Sequence, residues 1–417
     1  MGVITKLARM WLTRTTKPFL FKNEYDEKLS FVKLDNLGLY VHIPFCRSLC
    51  NFCPYCKVKY QSDLCDKYID ALIKEIHLVG NQTKEKKVVT SLYFGGGTPA
   101  LVANRLKEII LAIEEHFIIT EGIGIELHPS NVTIELLTKL KEANVSKISI
   151  GVQSFNPKYQ SVLGRNTVNP IELKNALDKV KFETVSMDFI FALPSQTFKD
   201  LKEDVDLAFV SGANHIAIYP FIDFTFTTSK VKGMKKREKR KLLDAITNYC
   251  HSKGYERTSI WTFSNESNAN YSSMTRDNFL GFGCSATTLL KDQFKINTFS
   301  VEEYCNRINQ EKLPTSLTIR FTKYQRMIYY LFWTAYSTKV DTRDFKKFFG
   351  VSLEKEYGFE LLVARLLGFI KAKNGVYTMT LRGAFYYHHY EHYYTYSYID
   401  KMWGVMRKEA FPKQIKL

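Results

Sequence analysis

The stretch that decides the fold is Tyr40-Val-His-Ile-Pro-Phe-Cys46-Arg-Ser-Leu-Cys50-Asn-Phe-Cys53-Pro-Tyr-Cys56. Three of its cysteines, Cys46, Cys50 and Cys53, follow a strand-like run with the spacing C-x3-C-x2-C. Three thiolates on one short loop can hold three irons of a [4Fe–4S] cluster and leave the fourth iron open to a small-molecule ligand. A structural zinc site would need four ligands, normally as two pairs. Since the sequence has no second pair of that spacing, the loop predicts an iron–sulfur cluster.

Around this loop, apolar strand-like runs alternate with amphipathic helical stretches, an order typical of right-handed β-α-β units in a parallel sheet. The predicted strands are Gly38–Ile43, Ser91–Phe94, Gly124–Leu127, Lys147–Val152, Thr184–Phe191 and His215–Tyr219. The predicted helices are Asp66–Val79, Asn104–His116, Ile134–Glu142, Ile171–Val180 and Phe198–Val210. About six such units predict an α/β fold with a partial (β/α)6 barrel, whose chemistry lies at the C-terminal ends of the strands.

The pattern divides the chain into four expected parts. They are an amphipathic extension (1–36), the partial barrel (37–230), an accessory α/β region (231–315) and a small, mainly helical, winged-helix-like domain (316–417). The extension places apolar residues on one helical face, namely Val3, Ile4, Leu7, Ala8, Trp11 and Leu12. With the charges of Lys6, Arg9 and Arg14, this pattern fits a helix lying on a membrane surface. A short helix packed on the protein's own core is the alternative.

Composition narrows the classes of partner. The chain has 417 residues, of which 45% are hydrophobic, and a net charge of +17, so a large core is expected and a disordered chain is excluded. Nucleic acid, an anionic membrane surface or an acidic small molecule would suit the charge. No nucleic-acid-binding motif is present, so we expect no nucleic-acid partner. Without a spanning segment or signal peptide, the expected location is cytoplasmic, with peripheral membrane contact through residues 1–14 as an option.

The cysteine loop and further stretches resemble the radical S-adenosylmethionine (SAM) superfamily over roughly Leu37 to Lys373. The matching stretches are Tyr93-Phe-Gly-Gly-Gly-Thr-Pro99, Ile148-Ser-Ile-Gly-Val-Gln-Ser-Phe155, Leu163-Gly-Arg165, Asp188-Phe-Ile-Phe-Ala-Leu-Pro194 and Tyr271-Ser-Ser-Met-Thr-Arg-Asp-Asn-Phe-Leu-Gly-Phe-Gly283. The resemblance is closest to the HemN-like branch, which includes oxygen-independent coproporphyrinogen III oxidases, haem chaperones and radical C-methyltransferases. It implies that SAM binds the open iron and is cleaved to a 5′-deoxyadenosyl radical. It also implies an electron donor such as a flavodoxin or a ferredoxin.

Candidate contacts to the first SAM lie at predicted strand ends. The run Gly95-Gly96-Gly97-Thr98-Pro99 lets a ligand approach the backbone closely and can offer N–H groups to the SAM carboxylate. Glu126 ends the next strand and can accept hydrogen bonds from the amino group or ribose of SAM. In the family that the sequence resembles, Tyr40 matches a tyrosine near the same molecule.

The resemblance further implies a second SAM. Gln153 and Arg165 match positions that contact it, and Arg165 can pair bidentately with its carboxylate. Asp188 matches an acid that binds ribose hydroxyls, and Phe52 and Thr98 would lie at the same site. A purely structural ion pair is the alternative, because buried arginines and acids without partners are costly.

Two features depart from the family pattern. Cys56 lies three residues after Cys53, whereas coproporphyrinogen oxidases carry their additional cysteine two residues after the third ligand. A fourth thiolate would close the SAM site, so Cys56 is left out of the ligand set and is either redox-active or simply buried. The tail Phe385–Tyr398, rich in tyrosine and histidine, can ligate haem, contact an aromatic substrate or form a packing surface.

Three functions therefore remain open. The first is modification of a tetrapyrrole by an oxidative-decarboxylation type of reaction, which the positive charge and the aromatic content suit. The second is two-SAM C-methylation of an aromatic or menaquinone-like quinone, which the basic amphipathic extension suits. The third is a haem chaperone, which the Tyr/His tail suits. No residue is assigned as catalytic.

Overall fold

The computed structural model describes residues 3–24, 28–265 and 277–417, with the side chains of residues 3–5 left aside. The part of the motif ending at Gly283 that covers 271–276 lies outside the described residues. The N-terminal elements are helix α1 (Val3–Leu12) and strand β1 (Leu20–Lys22). Among the described helices, none combines the length and apolar character needed to cross a bilayer.

Residues 37–220 form ten strands and six helices. The strands are β2 (Leu37–Ile43), β3 (Phe45–Cys46), β4 (Val58–Lys59), β5 (Lys87–Val89), β6 (Leu92–Gly96), β7 (Phe117–Ile119), β8 (Ile123–Leu127), β9 (Val145–Gln153), β10 (Thr184–Phe191) and β11 (His215–Pro220). The helices are α2 (Ser62–Gly80), α3 (Ala103–Glu114), α4 (Ile134–Glu142), α5 (Pro157–Val162), α6 (Pro170–Lys179) and α7 (Phe198–Val210).

Six of these strands are parallel neighbours in the order β11-β10-β9-β8-β6-β2. At least one helix lies between each strand and the next along the chain, which is the expected partial barrel. The predicted α/β fold class is therefore confirmed. The C-terminal ends of all six strands meet at one edge, where the cysteine loop also begins.

Local sequence explains these elements. In α3, Leu106, Ile109 and Ile113 are fully buried at helical spacing, and each such side chain contributes about 1.5–3 kcal/mol on burial. Helix α7 begins at a capping box in which Asp200 N donates to Thr197 Oγ1 (3.3 Å) and Thr197 N donates to Asp200 Oδ2 (2.8 Å). The same patterns explain why the predicted bounds lie close to the observed ones.

The accessory region extends the sheet on both sides. Its elements are α8 (Lys236–Ser252), β12 (Glu256–Arg257), β13 (Thr262–Ser264), β14 (Asn278–Phe282), β15 (Thr287–Leu289), β16 (Gln293–Asn297), α9 (Val301–Asn309) and β17 (Thr315–Arg320). Strand β14 pairs in parallel with β2, and β13 pairs antiparallel with β11. Strands β15, β16 and β17 continue the sheet to β1, so the N-terminal segment belongs to the same sheet as the barrel.

The C-terminal region is mainly helical. Its elements are α10 (Lys323–Tyr336), β18 (Lys339–Asp341), α11 (Thr342–Phe349), α12 (Leu353–Leu366), β19 (Ile370–Lys373), β20 (Val376–Met379), α13 (Leu381–Tyr394), α14 (Asp400–Met406) and β21 (Gln414–Lys416). Strands β18, β20 and β19 form a small antiparallel sheet beside α10–α12, in a winged-helix-like order. A π-helical turn joins α13 to α14, and β21 then pairs with β1.

Candidate active site

The cysteine loop is closed at its base by β3 and β4. Val58 N donates to Pro44 O (2.7 Å) and Tyr60 N donates to Cys46 O (2.9 Å). Cys46 is buried, Cys50 and Cys53 are half-buried, and all three thiols are free. Burial raises the pKa of Cys46 to about 11, and the nearby thiols of Cys53 and Cys50 act in the same direction. The three thiols are thus electrostatic neighbours on one loop, a donor set that fits a three-ligand cluster.

The glycine run packs against this loop without room for side chains. A Cβ on Gly97 would lie 2.7 Å from Phe45 O and 3.0 Å from Cys46 Sγ. Gly96 has φ +118° and leaves space for the ring of His42, which a Cβ would approach to 2.6 Å. The run therefore brings backbone next to the cysteine loop, as a cradle for a ligand on the open iron requires.

The N–H groups of this run differ from the expectation. Gly97 N donates to Ile43 O (2.8 Å), and Thr98 N donates to Phe45 O (2.8 Å). Gly96 N donates to Glu126 Oε2 (3.0 Å). These three N–H groups are hydrogen-bonded within the protein and fix the turn. In this structure they are therefore not free for a SAM carboxylate.

Glu126, near the end of β8, lies against the glycine run, where a Cβ on Gly95 would be 3.1 Å from its Oε1. Its Oε1 accepts a hydrogen bond from Tyr93 OH (3.1 Å), and burial raises its pKa above the ordinary value. The ring of Tyr40 stacks near that of Tyr93 at a centroid distance of 6.4 Å, and its hydroxyl lies 3.0 Å from His42 Nδ1. Glu126 and Tyr40 thus meet at the cradle, as expected for residues around one ligand.

Asp188 is the fifth of the eight residues of β10 and lies two strands along the sheet from Glu126. Ser149 Oγ donates to Asp188 Oδ2 (2.9 Å). Burial raises the pKa of Asp188 to about 7, and the negative charge of Glu126 adds to this effect. The carboxyl groups of Glu126 and Asp188 are therefore close enough to interact electrostatically.

Arg165 and Gln153 meet at the end of β9. Arg165 Nη1 donates to Gly151 O (2.5 Å), while its buried Nε has no hydrogen-bond partner among the described residues. Gln153 has φ +69°, and its side-chain amide lies over Gly151. A Cβ on Gly151 would lie 2.8 Å from Gln153 Nε2. Within the described part of the chain, neither Arg165 nor Asp188 forms an ion pair. The purely structural ion pair considered from the sequence is therefore not observed.

Phe52 packs with the small apolar cluster that includes Leu163 and Ile190, which places it beside the segment carrying Arg165. Asn51, which the sequence did not single out, lies next to Gly164, and its buried Oδ1 has no partner among the described residues. An unpaired acceptor and the unpaired Arg165 Nε on adjoining segments fit a polar ligand between them.

Cys56 is buried beside Cys284 and His42, and the ligand atoms of the three residues lie within 4.8 Å of one another. Cys56 Sγ donates to Phe299 O (3.2 Å), and a hydrogen bond from Cys284 lowers the pKa of Cys56. His42 Nε2 lies 2.9 Å from Cys56 O. Cys56 thus belongs to a buried contact with the accessory region, which agrees with leaving it out of the ligand set.

His388 in the Tyr/His tail is buried, and its Nδ1 accepts a hydrogen bond from Trp261 Nε1 (3.2 Å). Burial lowers the pKa of His388 to about 3. A role for His388 as a haem ligand would require this packing to open, so the tail around it serves as a packing surface in this structure.

An aromatic roof, defined here as Tyr55, Phe224, Phe226, Phe299 and Trp403, covers the cysteine loop. The Trp403 ring lies 6.1 Å from Tyr55 and stacks on Phe224 at 6.3 Å. No sequence motif indicated this roof, because α14 and the loop it covers are far apart in the chain.

Arg407 joins the roof to the loop. Its guanidinium lies 4.7 Å from the centre of the Phe226 ring and 5.6 Å from that of Phe299, and it donates to Pro54 O. Burial lowers the pKa of Arg407, and the thiols of Cys56 and Cys53 partly oppose that effect. A cation and flat rings are thus placed beside the cysteines, which suits an anionic substrate with unsaturated rings.

Residues 40–208 match the family model of the radical SAM superfamily. A three-cysteine loop at the first strand and a glycine cradle at the second agree with that match. Together with the relatives described below, they support placing the chain in the HemN-like branch of the superfamily. Members of the superfamily use a [4Fe–4S] cluster and SAM, and these are the cofactors of this chain.

Curated relatives carry several names. The heme chaperone HemW of Lactococcus lactis is 29% identical over 296 residues, covering 66% of this chain and 76% of that protein. The oxygen-independent coproporphyrinogen III oxidase of Synechocystis is 25% identical, covering 67% of this chain and 66% of that one. The anaerobilin synthase of Escherichia coli O157:H7 is 33% identical, covering 43% and 42%.

Among solved structures, the coproporphyrinogen III oxidase HemN of Escherichia coli superposes with a TM-score of 0.76. It is 20% identical, and the match covers 90% of this chain and 95% of that one. At this identity the likeness shows a shared fold over nearly the whole length, including the helical C-terminal region.

Proposed function

We propose that the chain is a radical SAM enzyme that modifies a carboxylate-bearing tetrapyrrole by an oxidative-decarboxylation type of reaction. The observation that carries this proposal is the aromatic roof with Arg407 directly beside the cysteine loop. Rings that bury an unsaturated macrocycle and a guanidinium that pairs with a carboxylate are the groups such a substrate needs.

The proposed cofactor site uses the residues described above. We propose Cys46, Cys50 and Cys53 as the cluster ligands. The proposed contacts to SAM are Tyr40, Gly96, Gly97 and Glu126 at the first molecule, and Phe52, Thr98, Gln153, Arg165 and Asp188 at a second. When bound, the cluster and SAM supply a radical that abstracts a hydrogen atom from the substrate.

The chain's own residues bind and orient the cofactor and the substrate. Glu126 keeps acceptor capacity for an amino or hydroxyl group, because its two oxygens use only the Gly96 N–H and the Tyr93 hydroxyl. The free Nε of Arg165 can donate to a ligand carboxylate beside its existing bond to Gly151 O. Phe224 and Phe299, which are 9% and 8% exposed, form the buried part of the roof and would limit the access of water to the reacting atoms, and so the side reactions of a radical.

Two further expectations stay proposals. We retain the division into an extension (1–36), a barrel (37–230), an accessory region (231–315) and a C-terminal domain (316–417). Reduction by a flavodoxin or a ferredoxin suits the positive net charge of the chain, because such donors are acidic and would be steered to a basic surface.

The test is anaerobic turnover of the reconstituted protein with dithionite, SAM and either coproporphyrinogen III or a menaquinone analogue. We expect 5′-deoxyadenosine together with loss of carbon dioxide from the porphyrinogen. S-adenosylhomocysteine with a methyl group gained by the quinone would replace this proposal with the C-methyltransferase. Absence of substrate-dependent 5′-deoxyadenosine, despite a reduced cluster, would contradict both.

A matched pair of variants tests the role of Arg407. Arg407→Gln removes the cation and should raise KM for the porphyrinogen by about tenfold or more, the effect of losing one charge-assisted hydrogen bond. Arg407→Lys keeps the charge and should lose less. Equal KM values in the wild type and both variants would contradict substrate binding at the roof.

A haem chaperone is the second candidate, and the observation favouring it is that HemW relatives are matched over 76% of their length. It predicts stoichiometric haem binding without turnover of SAM. Titration with haem, followed by the Soret band, distinguishes the two: a stoichiometric band in a protein that forms no 5′-deoxyadenosine would favour the chaperone. His388→Ala should leave any such band unchanged, because that ring is buried against Trp261.

A further inference from the structure

Helix α1 buries the charged residue Arg9 and exposes part of its apolar face. Arg9 and Thr13 are 6% and 2% exposed, whereas Leu7 and Trp11 are 58% and 56% exposed. Arg9 donates to Lys17 O, and Thr13 Oγ1 donates to Arg9 O (2.7 Å). These hydrogen bonds lie within residues 9–17, while Leu7 and Trp11 of the apolar face remain more than half exposed.

Helix α12 presents a second exposed apolar row. Phe359, Leu362 and Leu366 are 64%, 51% and 78% exposed, and Leu367 is 44% exposed. Their spacing of three, four and one residues places them on one stripe of the helix. A stripe of this size on a folded protein marks an interaction surface rather than scattered exposure.

Part of each row lines one groove, and Leu362 and Leu366 are exposed on α12 outside its walls. The groove encloses about 1420 Å³, and its walls include Leu7, Trp11, Phe359 and Leu367. Glu360 fixes the two helices together, because its Oε1 accepts from Trp11 Nε1 (2.7 Å) and from Arg14 Nη2 (2.6 Å). The apolar rows are thus fixed on a common face, here called the α1/α12 face.

Exposed basic residues lie on or next to the segments that form the α1/α12 face. Lys6 is exposed on α1, Arg365 on α12, Lys371 on β19 and Arg382 on α13, and no acidic residue occurs among the first 23 residues of the chain. The acid within the groove, Glu360, is already paired with Arg14. A basic rim around apolar side chains is complementary to an anionic lipid surface, where tryptophan is also favoured.

We propose that the α1/α12 face docks the protein on an anionic lipid bilayer, with Leu7, Trp11, Phe359 and Leu366 entering the interface. The positive rim selects anionic headgroups, and the two rows supply the buried apolar area. A bilayer fits better than an acidic soluble protein, because a broad apolar groove needs an apolar acceptor as well as negative charge. The proposal is independent of which reaction the active site performs.

Flotation of the full chain with vesicles tests this. We expect binding to phosphatidylglycerol-rich vesicles, weak binding to pure phosphatidylcholine, and loss of binding at high salt. Leu366→Glu should lower the partition coefficient about tenfold or more, since it adds a charge to the inserted row. Ile171→Glu is the matched control, because Ile171 is 68% exposed on α6, outside this face; it should bind like the wild type.

A second measurement locates the contact. Trp11 fluorescence should shift to the blue with anionic vesicles and be quenched by brominated lipid, and both signals should vanish in Trp11→Phe. Equal flotation of the wild type and Leu366→Glu, or no flotation of either, would overturn the proposal. A soluble lipophilic compound that saturates the groove and leaves vesicle binding absent would identify a small-molecule site instead. Turnover of a water-soluble substrate without vesicles should be the same in Leu366→Glu, which separates this test from that of the proposed reaction.

Discussion

Asp188 shows how a single carboxyl group ties the site to pH. Because burial raises its pKa to about 7, the folded protein favours the neutral form. The stability from this group is fully present below its unfolded pKa of 3.8 and is lost as the pH rises through about 7. Asp188→Asn should therefore raise the apparent Tm relative to the wild type at pH 8 but not at pH 4. It should also weaken SAM binding by about tenfold, because a neutral amide is a poorer acceptor for ribose hydroxyls.

Thermal scans of both proteins without ligand, at the two pH values, measure the stability part of this prediction. Isothermal titration with SAM under anaerobic conditions measures the binding part. The same Tm difference at both pH values would show that Asp188 does not titrate in this range. Unchanged SAM affinity would remove it from the proposed ligand set.

Cys46 and Cys56 provide a matched pair of thiols. Cys46→Ala should prevent stable cluster assembly, because two remaining thiolates leave a second iron without a protein ligand. Cys56→Ala should keep the cluster, because the Cys56 thiol is hydrogen-bonded to Phe299 O and grouped with Cys284 and His42. Iron and sulfide analysis with electron paramagnetic resonance of the reduced protein checks both. Full iron content in Cys46→Ala, or its loss in Cys56→Ala, would contradict the ligand assignment.

Among single residues, sequence reasoning located the acids better than their partners. The β/α pattern predicts both acids at or near strand ends, and Glu126 lies next to the end of β8, whereas Asp188 is the fifth of the eight residues of β10. Tyr93 and Ser149, which donate to them, were not identified. Their contacts cross from one strand to the next, and the side chain of a strand residue carries no local signal of what its neighbour needs.

At the scale of elements, the turn after β6 depends on having no side chain at Gly97. Gly97→Ala would place a Cβ 2.7 Å from Phe45 O, which belongs to the backbone and cannot move aside alone. We expect a loss of about 1–3 kcal/mol in the free energy of unfolding, the usual cost of overpacking, and impaired cluster incorporation. Chemical unfolding and iron analysis would measure the two effects.

Gly358 in α12 is the control for this substitution, because a Cβ there meets no heavy atom within 4 Å. Gly358→Ala should be neutral or stabilise the protein by about 0.5–1 kcal/mol through helix propensity. If both alanine variants behaved alike, close approach of the turn to the cysteine loop would not explain the glycine.

Helix and strand bounds were predictable because their signals are local. The strand expected at Gly38–Ile43 is observed at Leu37–Ile43, and helices Ile134–Glu142 and Phe198–Val210 are observed as expected. The orientation of α1 was not predictable from its own pattern. Its apolar face suggests an inward side, but Arg9 is buried while Leu7 and Trp11 are exposed, because the carbonyl groups of Thr16 and Lys17 accept hydrogen bonds from the Arg9 guanidinium.

At the scale of the whole molecule, distant parts of the chain complete the site and the sheet. Strand β1 pairs with β21, which begins at Gln414, and Arg407 donates to Pro54 O across 353 residues of sequence. Such pairings depend on the final packing of all four parts, so neither periodicity nor a motif reveals them. The branch of the superfamily followed from the motifs, whereas the roof that shapes the substrate site did not.

Helix α14 carries Trp403 of the aromatic roof, and the last prediction concerns this ring. Thr225 N and Oγ1 donate to the carboxylate of Asp400 (2.8 Å each), which fixes the helix that carries Trp403. Trp403→Ala removes the ring between Tyr55 and Phe224 and opens the site to water. We expect 5′-deoxyadenosine to exceed product by a larger ratio than in the wild type, since an exposed radical is consumed without modifying substrate. Val405→Ala on the same helix, where Val405 is 38% exposed, should keep the wild-type ratio. Chromatography of 5′-deoxyadenosine and of product over one time course measures that ratio. The same ratio in the wild type, Trp403→Ala and Val405→Ala would show that the roof does not seal the site.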